Sequence, residues 1–187
     1  MADYFIIFEE DPKSGMLPVK GETKDAYFKT FVPDHPAFEL TEFTLGDIEN
    51  ASTIGSATAG GGATKAKFNA FTITKQVDSA SPAFFRNCVA GAHYKKVTLA
   101  VRKPGGDPKA AGKPYLQFRF GFVFTTKVGW AHGDPLPTES ISFEYGALEV
   151  EYTPQKLDGT MGQGIPQGWN QCMNKAWTNT DPVVDDK

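Results

Sequence analysis

The sequence of 187 residues has few cysteines, no excess of basic residues and no long apolar run. The two cysteines, Cys88 and Cys172, are too few for a disulfide scaffold, and neither belongs to a Cys-x-x-Cys pair typical of zinc or redox sites. With 19 basic and 22 acidic residues the net charge is −3, and the absence of a basic cluster argues against a nucleic-acid-binding protein. No segment reaches the roughly 18 apolar residues of a transmembrane helix, so we expect no membrane insertion.

The amino terminus lacks the features of a secretory signal. No basic segment precedes its apolar residues, and the apolar run Tyr4–Phe8 is only five residues long. We therefore expect no cleaved signal peptide and synthesis in the cytoplasm, which is a reducing compartment. In that compartment Cys88 and Cys172 are expected to stay unbridged.

Turn-forming and aromatic residues are abundant. The chain has 19 Gly and 13 Pro, above average usage, which suggests many turns and many short strands. Its 15 Phe supply apolar surface for a core, and a chain of this size can bury roughly 70% of its unfolded surface. We expect a single domain over residues 1–177 and a flexible, polar tail over residues 178–187.

Alternation of apolar residues with other residues predicts several strands. Every second residue of segment 116–124 is apolar and bulky, including four Phe, and we expect this aromatic face to pack inward. The alternation of segment 141–147 continues in the opposite phase over 148–152, and a similar slip occurs within segment 68–73. A slip of one residue requires a bulge or the burial of both faces. We interpret both slipping segments as long, bent strands of a barrel or sandwich.

One segment has helical periodicity, and it predicts a helix at about 82–90. Its apolar residues recur at spacings of three and four: Phe84, Phe85, Cys88, Val89 and Ala92. The Ser81 hydroxyl is expected to cap the start, and Gly91 can adopt the left-handed conformation that ends a helix. We expect the Phe-rich face to pack on the strands and Arg86 and Asn87 to face water.

No motif indicates a metal, a cofactor or a catalytic centre. His35, His93 and His132 lack the spacing of metal ligands, and we expect His93 to contact the carbonyls at the helix end and His35 to lie in a turn. Residues 106–113 lack the Gly that a phosphate-binding loop requires. We therefore expect a protein that is not an enzyme.

Two other functions remain open. Three glutamates lie on or beside one predicted strand: Glu144, Glu149 and Glu151. Two of them could pair across a cleft as in a glycosidase, although a strand favours a solvated face. Three tryptophans lie in the second half of the chain: Trp130, Trp169 and Trp177. They could form the sugar-binding surface of a monomeric β-sandwich carbohydrate-binding module, although aromatic residues more often close the end of a barrel.

The order of many short elements resembles one known family. The elements are residues 20–25, 71–75, 77–78 and 81–82, then Cys88, Gly91, residues 93–94, the strand 97–103, Glu139, residues 141–143, 152–155 and 168–170. Together they resemble the haemolysin-coregulated protein (Hcp) family of bacterial type VI secretion over residues 20–177. Segments 9–18 and 26–37 are longer than the usual connections of the family, and segment 40–46 lacks the tryptophan that is often found there.

The resemblance implies a small antiparallel β-barrel of two sheets with one α-helix alongside. It implies hexameric rings of identical subunits that stack into a tube, and a contractile sheath on a baseplate that drives this tube out of the cell behind a spike protein. Small effectors would travel in the pore, and the protein itself would be secreted by this machine.

The loop 51–64 is long and built of small residues, and loops of this length are usually either functional or disordered. In a tube of stacked rings it would suit the contact between rings, because its glycines permit close approach of backbones. The predicted ring-stacking residues are Gly55, Ser56, Gly60, Gly61, Gly62 and Lys65. The alternative interpretation of this loop is a mobile hairpin tip.

Overall fold

The computed structural model describes residues 3–50, 52–53, 62–63, 65–103, 113–133 and 135–184. These residues form thirteen strands and one helix. The elements are β1 (Asp3–Glu10), β2 (Phe38–Glu39), β3 (Glu42–Thr44), β4 (Ile48–Glu49), β5 (Ser52–Thr53), β6 (Gly62–Ala63), β7 (Lys67–Phe68), β8 (Phe71–Gln76), α1 (Ser81–Ala90), β9 (His93–Arg102), β10 (Leu116–Ala131), β11 (Thr138–Tyr152), β12 (Ile165–Asn170) and β13 (Lys175–Ala176).

Nine strands form one branched antiparallel sheet. Its main path runs β13-β12-β11-β10-β9-β1-β2, and β8 joins it through β11 and carries β3 on its other side. The branch lies on β11, which pairs with β8 over residues 138–143 and with β12 over residues 147–152. The prediction of a mainly β, antiparallel fold with one helix is confirmed.

The sheet curls around an aromatic core. Phe8 on β1 and Phe143 on β11 have ring centroids 5.4 Å apart, although β9 and β10 separate their strands in the sheet. Phe71 and Phe120 stack at 4.1 Å in the same core. Burying each such side chain contributes roughly 1.5–3 kcal/mol. The abundant Phe therefore form the core, as the composition suggested.

Strand β10 departs from the predicted inward aromatic face. Phe120 is fully buried, but after it the buried positions are Val123 and Thr125, and Phe122 and Phe124 lie half-buried beside His93. Phe122 has a φ of 54°, a conformation that is rare for a bulky residue. This one residue shifts the alternation by one position. The prediction that Phe122 and Phe124 pack inward is therefore wrong.

The two predicted bent strands have different outcomes. Strand β11 runs unbroken from Thr138 to Tyr152, as expected. Segment 67–76 is instead two strands, β7 and β8, separated by Asn69 and Ala70. The backbone N–H of Asn69 donates to the Asp47 carbonyl, so the chain leaves one strand pair there before it enters the main sheet.

The helix begins one residue earlier than predicted and buries a different face. Its buried residues are Ser81, Phe84 and Asn87, whereas Phe85 and Val89 are 49% and 64% exposed. The Asn87 amide accepts from the Leu17 N–H and donates to the Leu17 carbonyl, both at 2.8 Å. The expectation that Asn87 faces water and Phe85 packs inward is wrong, because the segment around Leu17 supplies a polar partner inside.

The ends of the helix differ in outcome. Gly91 has a φ of 65° and ends the helix as predicted. Ser81 is the first helical residue rather than a cap, and its hydroxyl donates to Glu139 at 2.7 Å. Glu139 also contacts the Lys75 ammonium at 2.6 Å, and both side chains are at least 99% buried. This buried link of Lys75, Glu139 and Ser81 fastens the helix to β8 and β11.

Two segments cover the outer face of the sheet. The N-terminal cover (residues 23–37) places Phe28 against Phe5 with ring centroids 3.9 Å apart, and both are buried in a second apolar cluster. Arg102 stacks over these rings and bonds Asp25 at 2.7 Å. The long segment 26–37 therefore brings its own small core.

The C-terminal cover (residues 171–184) lies over β10 and β11. Trp177 is 3% exposed and its indole N–H donates to the Asp181 carbonyl at 3.1 Å. Asn179 binds Glu149 through its backbone N–H and its side-chain amide. Packed structure thus continues past residue 177, where the sequence predicted the domain to end. The flexibility predicted for 178–187 stays a prediction.

Candidate assembly surface

A two-stranded hairpin arm, described for residues 47–50, 52–53, 62–63 and 65–69, leads into and out of the predicted ring-stacking loop. Strand β4 pairs with β7 through Ile48 and Phe68, and β5 pairs with β6 through Thr53 and Gly62. Each of these two pairs is a separate two-stranded sheet. The base of the arm is held by the main core, because Phe68 packs there with its ring centroid 5.8 Å from that of Tyr145. Ile48 is 55% exposed, so this part of the arm is open to a second molecule.

The predicted loop residues fall only partly within the described part of the chain. Gly55, Ser56, Gly60 and Gly61 lie outside the described residues. The backbone of Gly62 belongs to β6, opposite Thr53, and Lys65 follows this strand with an exposed side chain. The role of this loop in stacking stays a prediction.

A second surface combines the helix with the end of β10. Phe85 and Trp130 have ring centroids 6.1 Å apart and are 49% and 53% exposed. Val89 lies four residues after Phe85, on the same side of the helix, and is 64% exposed. We call these three residues the helix patch. The helical spacing of Phe85 and Val89 was visible in the sequence, but it was interpreted as a buried face.

The glutamates considered for catalysis do not line an open cleft. Glu149 is 2% exposed, and its carboxylate is bound by Arg119 at 2.7 Å and by Asn179. Glu151 also bonds Arg119, at 2.6 Å, whereas Glu144 is exposed. Burial alone would raise the pKa of Glu149, but the hydrogen bonds from Asn179 and Arg119 outweigh it and lower this pKa. Through its bonds to Asn179, Glu149 anchors the C-terminal cover to the sheet.

The three tryptophans do not share one surface. Trp177 belongs to the C-terminal cover and is buried against the sheet, and Trp130 belongs to the helix patch. Trp130 on β10 lies opposite Glu139 of β11, and Trp169 on β12 lies opposite Leu148 of β11. Glu139 and Leu148 are nine positions apart along this strand, a distance of about 30 Å. The sugar-binding surface considered from the sequence is therefore not formed by these residues together.

Two of the three histidines, His35 and His93, bind carboxylates of the chain. His35 contacts Glu10 at 2.5 Å and the Pro33 carbonyl at 2.8 Å, and His132 is exposed. His93 contacts Asp11 at 3.0 Å, so the expectation that it meets the helix carbonyls is wrong. Within the described residues, no group of His, Cys, Asp and Glu could hold a metal ion.

The thiols of Cys88 and Cys172 are both free, as predicted. None of the helices among the described residues is long and apolar enough to span a membrane.

A comparison with models of protein families shows which family the chain belongs to. The model of the family described as "Type VI secretion system effector, Hcp" matches residues 13–152. The chain belongs to the Hcp family. An Hcp-family relative, "Protein hcp1" of Pseudomonas aeruginosa, is 31% identical over 106 residues, which are 55% of this chain and 64% of that protein. The match thus spans less than two thirds of the relative.

Solved structures extend the Hcp likeness to nearly the whole chain. A structure described as that of a type six secretion system protein has a TM-score of 0.74 and 25% identity, covering 95% of this chain and 100% of that one. Hcp1 from Salmonella typhimurium has a TM-score of 0.67 and 21% identity, covering 94% of this chain and 99% of that one. This second likeness is one of fold.

Proposed function

We propose that this chain is the structural subunit of the type VI secretion inner tube, forming hexameric rings that stack. Membership of the Hcp family supports this proposal, as does the likeness to a type six secretion system protein over all of that protein's chain. The observation that carries it is the pair of exposed apolar surfaces on one chain, Ile48 of the hairpin arm and the helix patch.

A subunit of a tube needs contacts of two kinds. A ring closes through a contact between two unlike surfaces, repeated by rotation, and stacking joins the two unlike faces of neighbouring rings. The loop 51–64 at the end of the hairpin arm is our candidate for stacking, through Gly55, Ser56, Gly60, Gly61, Gly62 and Lys65. Small side chains would let this loop lie close to the next ring.

The proposed activity is mechanical and uses no catalytic chemistry. The tube would be assembled in the cytoplasm, driven by the sheath from its baseplate, and secreted with the spike protein. Small effectors would be carried in the pore by many weak contacts. Moderate contacts between rings would allow the tube to come apart after delivery.

Native mass spectrometry and negative-stain micrographs test this proposal. We expect the purified protein to form closed rings whose mass is a multiple of the 20.4 kDa chain, without added metal or nucleotide. A carbohydrate-binding module would instead remain a monomer. A monomer over a wide range of concentration would refute the proposal.

The stacking role of the loop has its own test. Deletion of residues 55–62 is expected to leave folding and rings intact, but to abolish tubes in micrographs and protein in the culture supernatant. Lys65→Ala should weaken stacking less than the deletion does, because an exposed charge typically contributes less than about 1 kcal/mol. Normal secretion of the deletion variant would show that the loop is only a hairpin tip.

A further inference from the structure

The helix patch lacks a partner within its own chain. Phe85, Val89 and Trp130 are each about half exposed or more, and the two rings already contact each other. Aromatic residues grouped in this way are typical anchors of protein interfaces, where a few side chains contribute most of the binding energy. The patch is therefore preformed to receive an apolar side chain.

A positive charge borders the helix patch. Arg86 follows Phe85 on α1 and is exposed, and neither α1 nor β10 contains an Asp or Glu. Lys127 lies three positions before Trp130 on β10, so its side chain points to the opposite face of the strand. An apolar centre with an exposed cation at its border fits a partner segment that carries an apolar residue between carboxylates.

The outgoing strand of the hairpin arm has that chemistry. Residues 30–64 contain five carboxylates and no Lys or Arg. Two of these carboxylates, Asp47 and Glu49, are exposed and flank Ile48, which is 55% exposed. The pairing strand β7 is held on the main core through Phe68, whereas Ile48 has no such cover.

We infer that residues 47–49 of one copy lie on the helix patch of the next copy in the ring. Ile48 packs against Phe85, Val89 and Trp130, and the flanking carboxylates face the basic border of the patch. Both surfaces stay exposed within a single chain, so they do not satisfy each other there. The contact joins unlike surfaces, so it propagates from copy to copy and closes as a ring where the rotation between neighbours is that of the proposed hexamer. This inference rests on the proposed ring and names its lateral contact.

Charge reversal on each surface tests the inference. The patch variant is Arg86→Glu, and the arm variant is Asp47→Lys with Glu49→Lys. Each variant places like charges opposite each other in the contact, which costs several kcal/mol. We expect the ring population of each variant alone to fall by at least about tenfold, since each 1.4 kcal/mol is a factor of ten.

A mixture of the two variants is the decisive measurement. The arm of each variant is then complementary to the patch of the other, so rings of alternating copies should form again at close to the wild-type level in native mass spectra. The same recovery is expected for one chain that carries all three changes. Recovery also shows that both variants are folded, and circular dichroism checks each one alone.

The control variant changes an exposed lysine elsewhere, Lys24→Glu, with the same change in net charge as the patch variant. It should form rings as the wild type does. The inference is wrong if the reversed variants still form rings, if neither the mixture nor the combined variant recovers them, or if rings persist and only stacking is lost. A wild-type protein that forms no rings at all would refute the proposed function instead.

Discussion

The two covers on the outer face of the sheet are held by different forces. The N-terminal cover inserts Phe28 against Phe5, so its attachment is mainly apolar. The C-terminal cover also has a buried aromatic residue, Trp177, but its other contacts are hydrogen bonds, above all those of Asn179 with the buried Glu149. A segment can therefore be part of the packed fold whether its sequence is aromatic or polar.

The difference shows what makes a polar segment dock. The N-terminal cover supplies apolar surface of its own, whereas the C-terminal cover uses a charge that the sheet already holds. The sheet also leaves room for it, since a side chain in place of Gly121 or Gly146 would meet Val183. The polar segment thus docks because its binding site exists on the sheet.

Loss of the aromatic stack should have the largest effect on stability. We expect Phe28→Ala to lower the free energy of unfolding by about 3–5 kcal/mol, because it leaves a cavity in the second cluster. For a chain of this size that corresponds to a fall in melting temperature of roughly 6–20 °C. Thermal denaturation followed by circular dichroism measures it. Tyr27→Phe is the control, and a similar loss for this variant would contradict a specific role of Phe28.

Loss of the polar anchor should have a smaller effect that depends on pH. At neutral pH, Glu149→Gln should lower the free energy of unfolding by about 1–3 kcal/mol, because the contacts of Arg119 and Asn179 lose their charged partner. The pKa of Glu149 is lowered in the fold, so its stabilisation is present above the ordinary value of 4.5 and is lost as the pH falls through the lowered pKa.

The difference in melting temperature between wild type and Glu149→Gln should therefore shrink in acid. Glu144→Gln changes an exposed glutamate of the same strand and should show little difference at any pH. A constant difference between the wild type and Glu149→Gln at all pH values would mean that the charge of Glu149 is not what holds the C-terminal cover.

The smallest expected effect concerns His35 in the N-terminal cover. Burial lowers the pKa of His35, but the Pro33 carbonyl and the Glu10 carboxylate outweigh it, and the net pKa is raised. Its stabilisation is therefore present below the ordinary value of 6.5 and is lost as the pH rises through the raised pKa.

We expect the stability difference between wild type and His35→Gln to stay below about 1 kcal/mol, because the pair is partly exposed, and to shrink from mildly acidic to alkaline pH. Melting temperatures across this range measure it, with the exposed His132→Gln as control. A difference that grows with pH would contradict the assigned ion pair.

Local patterns predicted the elements whose partners are near in sequence or whose burial is uniform. The antiparallel strands and the end of the helix at Gly91 are of this kind. Asn87 and His93 were misplaced because their partners, Leu17 and Asp11, lie 70 and 82 residues away. The turn of Phe122 to the outer face was not predictable either, because its φ depends on tertiary contacts that no alternation pattern records.

The candidate site was predictable only in outline. The glycine-rich loop was visible as a long segment of small residues. The helix patch was not, since the spacing of Phe85 and Val89 is the same for a buried face and for an interface. Which of the two applies depends on the neighbour that covers the helix, and here Asn87 and Phe84 face the sheet instead.

The buried link of Lys75, Glu139 and Ser81 bears on how accurately copies of the chain could fit together. Apolar faces can slide over each other at little cost, whereas a charged hydrogen bond favours one length and one direction. Glu139 is also paired with Trp130 across β10 and β11, so the link sets the helix directly against the strand position that bears this tryptophan. Around a closed ring a small misalignment in each copy adds to the next, and a rigid joint at this place keeps that sum small.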